Sequence, residues 1–89
     1  MELTDKCKEA FDKWNSENNY GKYKFEDFNE SMQYGVYVDF FDSVNVRTPE
    51  ITKGYDCFFI NELGNMLQFN TKPKARKAAI QKANEIFNQ

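Results

Sequence analysis

Four cations crowd the start of one segment: Lys72, Lys74, Arg76 and Lys77. The apolar spacing that follows makes this the first turn of a helix. A helix N-terminus already presents unpaired N–H donors and about half a positive charge, so it suits anions and disfavours cations. Basic residues there have one of two explanations. Either they hold a phosphate or an acidic partner, or they pair with acids elsewhere in the chain. A second group lies upstream. Tyr34, Tyr37, Asp39, Phe40 and Asp42 mix aromatic rings with carboxylates, and Glu26, Asp27 and Glu30 precede them. Aromatics rimmed by acids suit a protein interface, where large rings anchor the contact. The other reading is that these rings build the core.

Catalytic chemistry finds little support. The chain has no His, which removes the Cys-His and Ser-His-Asp arrangements. Its four glycines are scattered and form no phosphate-cradling loop. Cys7 and Cys57 stand alone in separate segments, too few for a zinc site within one chain. The expectation is a protein without catalytic, metal or cofactor chemistry.

The elements that would position these groups follow from periodicity. Leu3, Cys7, Ala10, Phe11 and Trp14 trace one apolar stripe, which predicts a helix over 4–15 with Thr4 as N-cap. The run from Asn15 to Gly21 has no period and ends it. Phe25 and Phe28 suggest a helical turn or two. The segment 34–41 fits two periods. Val36, Val38 and Phe40 alternate as in a strand, while Tyr34, Val38, Phe41 and Val44 follow a helical stripe. A helix over 32–44 is favoured, with Ser31 as N-cap and Asn45 as a left-handed stop. Gly35 and the valines weigh against it. Further on, Val46 to Ile51 reads as an edge strand, limited by Pro49. Lys53-Gly54 turns the chain. Tyr55 to Asn61 reads as a strand with Phe58 and Ile60 on one face and Cys57 and Phe59 on the other. Glu62 to Asn65 turns again, and Met66 to Phe69 pairs back. Thr71 caps the last helix, where Pro73 is tolerated in the first turn. Ala75, Ala79, Ile80, Ala83, Ile86 and Phe87 form its buried stripe. The fold class is therefore α+β: one domain over 1–89, with a small three-stranded antiparallel sheet packed against an N-terminal helix, a second helix near 31–44 and a C-terminal helix.

Charge is polarised along the chain. The net charge of −2 conceals an acidic stretch through residue 62 and a basic one after it, where Glu85 is the lone acid. Aromatics make up 17% of the residues, enough to hold an 89-residue core and leave a surplus for a partner. Two unlinked cysteines and a start without basic or apolar leader character predict a reduced, cytoplasmic protein with both cysteines as core filler. No apolar run is long enough to span a membrane.

Two strings carry a resemblance. Ser31-Met-Gln-Tyr-Gly-Val-Tyr-Val-Asp-Phe-Phe-Asp-Ser43 and Thr71-Lys-Pro-Lys-Ala-Arg-Lys-Ala-Ala-Ile-Gln-Lys-Ala-Asn-Glu-Ile-Phe-Asn88 resemble segments of small uncharacterised proteins of gut Bacteroidales phages and integrated elements. The likeness covers about two fifths of the chain. It implies a phage or mobile-element origin, with the host cytoplasm as its location, and no particular chemistry. It also favours helix over 31–44, since related strings commonly carry Gly where Asn45 stands. The element order is similar, more weakly, to that of double-stranded RNA-binding domains. Thr71, Lys72, Ala75 and Arg76 match the basic start of their last helix. Pro73 departs from it, and the inter-strand loop lacks their groove-reaching pattern.

These features predict a non-enzymatic accessory protein that binds a host or phage macromolecule. A protein would dock on Tyr34, Tyr37, Asp39, Phe40 and Asp42. The alternative is a nucleic-acid-binding module using Lys72, Lys74, Arg76 and Lys77. A homodimer that buries its own aromatic surplus is the third possibility.

Overall fold

Helix α1 (Asp5–Glu17) opens the computed structural model, which describes residues 2–18, 24–62 and 64–89. A 3-10 turn (Phe25–Asp27) leads into α2 (Glu30–Ser43). Three strands follow, β1 (Ile51–Lys53), β2 (Phe58–Glu62) and β3 (Asn65–Phe69), and α3 (Lys72–Asn88) comes last. The strands form an antiparallel meander in the order β1-β2-β3. Register pairs Ile60 with Ile51 on one side and with Leu67 on the other. The α+β expectation holds.

α3 is the hub, packing against α1, α2 and all three strands. Two clusters meet on it. Ile60 of the central strand packs on Ala75 and Ala79, whose small side chains let helix and sheet approach closely, with Ile51, Phe58 and Phe69 around them. Ile80 and Ala83 join Leu3, Cys7, Phe11, Tyr37, Phe40 and Phe41 in a second cluster between the helices. Tyr34 borders both. Phe11 is the centre of the aromatic core. Its ring lies 4.9 Å from Tyr37, 5.2 Å from Phe25 and 5.3 Å from Phe40, the last two edge-on. Such contacts add about 0.5–1.5 kcal/mol each beyond area burial.

α2 is a helix, as favoured, and Asn45 stops it with φ +61°. Val46 N–H donates to Phe41 O at 2.9 Å and Asn45 N–H to Asp42 O at 3.2 Å, the paired bonds of a Schellman motif. Val46 packs on the same cluster as Phe41, which completes the motif. The N-cap is Asn29, not Ser31: its Oδ1 accepts from Met32 N at 2.9 Å. Val46 to Glu50 is not strand. Val46 is held by the helix stop, and β1 is only the three residues from Ile51. β2 begins at Phe58 rather than Tyr55, because Tyr55 and Asp56 form a hairpin loop closed by Gly54 N–H donating to Cys57 O at 2.8 Å. A Cβ on Gly54 would stand 2.6 Å from the Phe59 ring, so the close approach requires glycine. Gly64 takes φ +84° in the next turn, as that hairpin needs. Asn19 to Gly21 and Leu63, which the sequence reading placed in turns, lie outside the described residues.

The start of α1 is secured from the far end of the chain. Thr4 is the N-cap by position, yet its hydroxyl makes no capping bond within α1. Asn88 Oδ1 accepts from Cys7 N at 2.9 Å instead. Asn84 Oδ1 accepts from Thr4 N at 2.9 Å, and Asn84 Nδ2 donates to Thr4 Oγ1 at 3.0 Å. Asn88 Nδ2 donates to Thr4 O at 3.0 Å. Asn84 is only 6% exposed. This two-asparagine clamp ends in Asp5 with φ +54°, a left-handed conformation that Asp tolerates better than most residues.

Candidate functional site

The basic turn forms as expected. Thr71 Oγ1 accepts from Lys74 N at 3.4 Å, and Pro73 sits where no intrahelical N–H is needed. The four cations do not converge. Lys72 and Arg76, one turn apart, face the cleft beside α2. Lys74 lies on the opposite side of the helix by its 100° spacing, and Lys77 stands beside Glu2, Thr4 and Glu85.

Arg76 has its counter-charge inside the protein. Its Nη1 donates to Glu30 Oε2 at 2.6 Å, and its guanidinium lies 5.6 Å from the centre of the Tyr34 ring. With its side chain 15% exposed, Arg76 is a packing and pairing residue joining α3 to the first turn of α2. The bond is single rather than bidentate, and Glu30 Oε1 and Arg76 Nε are buried without partners. Burial raises the Tyr34 hydroxyl pKa, Arg76 opposes that rise, and Glu30 adds to it. Lys72, Lys74 and Lys77 remain exposed.

One cleft brings together residues from both sequence-derived groups. Tyr34, Val38 and Asp42 of α2 form one wall, Arg47 to Ile51 the other, with Lys72 and Arg76 at its end, enclosing about 580 Å³. Its charges are mixed. Asp42 and Glu50 face Arg47, Lys72 and Arg76, and Arg47 approaches Glu50 to 3.8 Å. A cleft that supplies both signs has no strong preference for phosphate.

The aromatic group separates further. Tyr37 is 5% exposed and Phe40 fully buried, so neither forms part of a docking surface. They face Phe11 and α3, and the expectation that they contact a partner is corrected: they are core. Burial pushes the Tyr37 hydroxyl up to about 12, with Asp12 contributing. Asp39 is exposed on the outer face of α2. There it borders a groove the sequence reading missed, about 780 Å³ in volume, lined by Phe28, Met32, Gly35 and Val36 with Asp27 and Asp39 along it. Met32 is 51% exposed. Nothing described lies within 4 Å of a Cβ placed on Gly35. A glycine in mid-helix costs about 0.5–1 kcal/mol relative to Ala, and no contact among the described residues requires it. The missed signal was present: Met32 and Val36 stand one turn apart, Met32 turned away from the Tyr37–Phe41 edge and Val36 at the margin of the helix cluster.

Cys7 is buried in the helix cluster, and burial pushes its thiol up to about 11. Cys57 is half-buried against Gly54. Among the described residues, no three His, Cys, Asp or Glu side chains are grouped so as to hold a metal ion. No described helix is long and apolar enough to cross a membrane. No family model, curated protein or solved structure matches the chain.

Proposed function

We propose that this chain is a non-enzymatic binding protein that docks a protein partner on the outer face of α2, acting as an accessory factor of a phage or mobile element. The observation that carries the reading is the acid-bordered apolar groove of Phe28, Met32, Gly35 and Val36. Half-exposed apolar side chains beside carboxylates match the composition of transient interfaces better than that of ordinary solvated helix faces. Asp39 keeps the interface role that the sequence suggested for it, while Asp42 and Tyr34 belong to the neighbouring cleft.

Site-specific photo-crosslinking tests this. A crosslinker at position 32 is expected to capture a discrete protein in cells, and one at Gln81, on the exposed polar side of α3, to capture none. Equal capture from both positions overturns the reading. A gel shift with duplex RNA and DNA at low salt covers the nucleic-acid alternative. The pairing of Arg76 with Glu30 and the divergence of Lys72 from Lys74 and Lys77 argue for no shift. A shift abolished by Lys72→Glu plus Lys74→Glu would replace the proposal with that alternative.

A further inference from the structure

The groove on α2 has features that specify its occupant. Met32, Gly35, Val36 and Asp39 follow the i, i+3, i+4, i+7 spacing of a single helix face, and Phe28 extends that face past the N-terminus. α1 and α3 cover the Tyr37, Phe40 and Phe41 side of α2, with Val36 packed at its margin, and leave Met32, Gly35 and Asp39 exposed among the described residues. At the middle of the uncovered side stands Gly35, where a side chain would project into open space. A residue without a side chain at that point lets another helix axis come within about 8–10 Å, the spacing of packed helices. An extended strand would gain less, since α2 has no free ladder of backbone donors and acceptors to offer it.

Charge narrows the choice. Between residues 24 and 43 there are five acids, Glu26, Asp27, Glu30, Asp39 and Asp42, against Lys24 as the single base. Asp27 and Asp39 border the groove, and Glu30 stands one turn away, paired with Arg76. A second copy of the same face would set these carboxylates against their like, and a nucleic acid would be repelled outright.

We propose that the α2 groove takes a basic amphipathic helix of a protein partner, crossing α2 at Gly35. Its apolar seam lies on Phe28, Met32 and Val36, and its cationic flanks face Asp27 and Asp39. This rests on the reading of the α2 outer face as a binding surface and names the chemistry of what binds there.

The test titrates the full chain with three synthetic 18-residue peptides, a length on the order of five helical turns. All share one Leu-Ala seam. The first has Lys and Arg flanks, the second Glu flanks, and the third repeats the first with a central Pro. Backbone amide NMR shifts locate binding, and calorimetry measures it. The first peptide is expected to bind with shifts confined to 27–39. The Glu-flanked peptide should bind roughly tenfold more weakly, and the Pro-interrupted one should lose most of its affinity. Gly35→Leu should weaken the first peptide by about tenfold or more without lowering the melting temperature, since Leu is the better helix former. Asp27→Lys should narrow the preference for basic over acidic flanks, a readout that does not depend on Gly35→Leu folding well. Equal affinity for the basic and acidic peptides, undiminished binding of the Pro peptide, shifts outside the groove or no binding by any of them overturns the inference. Crosslinking from position 32 separates the two levels. A captured partner whose crosslinked segment is extended or acidic overturns the helix and leaves the interaction surface standing. No capture and no peptide binding removes both.

Discussion

Replacing Asn84 with Ala should loosen the beginning of the chain. Asn84 makes two hydrogen bonds to Thr4, one from the backbone N–H and one to the hydroxyl, at 2.9 and 3.0 Å. A hydrogen bond of this kind contributes about 0.5–1.5 kcal/mol net. Two of them, together with the packing lost at a side chain only 6% exposed, give a loss of about 2 kcal/mol. Thr4 is exposed, so water can reach the groups left behind, and this keeps the figure well below the cost of a sealed unsatisfied pair. A domain of this length is stable by roughly 4–9 kcal/mol in total, so the variant surrenders a quarter to a half of it. At about 4–8 °C per kcal/mol the melting temperature should fall by about 8–16 °C. Urea unfolding followed by circular dichroism measures the change, with an unchanged m value showing that the denatured state is not the cause. Thr4→Val supplies the control, since it removes the hydroxyl and keeps the shape. In a double-mutant cycle the two changes should couple by about 1 kcal/mol, because they share one bond. A loss below about 0.5 kcal/mol for Asn84→Ala, or strict additivity in the cycle, refutes the clamp as a stabilising device.

The two glycines most exposed to this reasoning should respond in opposite directions. Gly54→Ala places a Cβ 2.6 Å from the Phe59 ring and 3.0 Å from Cys57 Sγ, and should destabilise by about 1–3 kcal/mol, whereas Gly35→Ala meets open space and should stabilise by about 0.5–1 kcal/mol in the same denaturation assay. Asn45→Ala should cost about 1 kcal/mol through its left-handed φ, and Asn45→Gly should be neutral or slightly stabilising by melting temperature. Glu30→Ala leaves Arg76, among the described residues, with the Tyr34 ring as its partner. With Glu30 37% exposed, the expected loss is about 1–2 kcal/mol, less than for a sealed ion pair, and it should shrink when Arg76→Met is added. Alkaline pH should destabilise the fold. Cys7 and Tyr37 are both held protonated in the native state, at about 11 and about 12, above their ordinary values of 9.0 and 10.0. The unfolded chain therefore releases these protons first, and stability should fall as pH rises from about 9 toward 12, which Cys7→Ala should flatten at its lower end.

What the sequence discloses divides along a physical line. Thr71, Pro73 and the alanine spacing define α3 by local rules of capping and period, and all of them hold. Asn45 stops α2 for the same kind of local reason. The hairpin around Gly64 and the alternation of Phe58 and Ile60 against Phe59 also hold. Ile86 does not: assigned to the buried stripe, it is 39% exposed and lines a surface cleft with Arg47, Pro49 and Glu50. The features that local rules miss depend on distant partners. Asn84 and Asn88 look like solvated helix residues until Thr4 is known to lie beside them, some 80 positions away. α2 carries apolar residues around most of its circumference, interrupted by Ser31, Asp39 and Asp42, so its sequence marks the inner face only weakly. The positions of α1 and α3 decide that Tyr37, Phe40 and Phe41 turn inward and Met32 outward. The pairing of Arg76 with Glu30 spans 46 positions and likewise has no local signature.

The central place of α3 has a consequence for the order in which this chain becomes native. It is the last of the six main elements, yet it supplies a wall to both core clusters and the capping groups for α1. Until it has been synthesised, the aromatic cluster of Phe11, Phe40 and Phe41 lacks the Ile80 and Ala83 wall, and Ile60 of the sheet lacks Ala75 and Ala79. Closing contacts across the length of the chain carries a loop entropy that local helix formation does not. The emerging polypeptide should thus present sticky aromatic surface through most of its synthesis and commit to the native state late, in a step that docks α3. Ribosome-bound chains stalled before residue 72 should accordingly be open to protease and to chaperone binding, and full-length chains should be resistant.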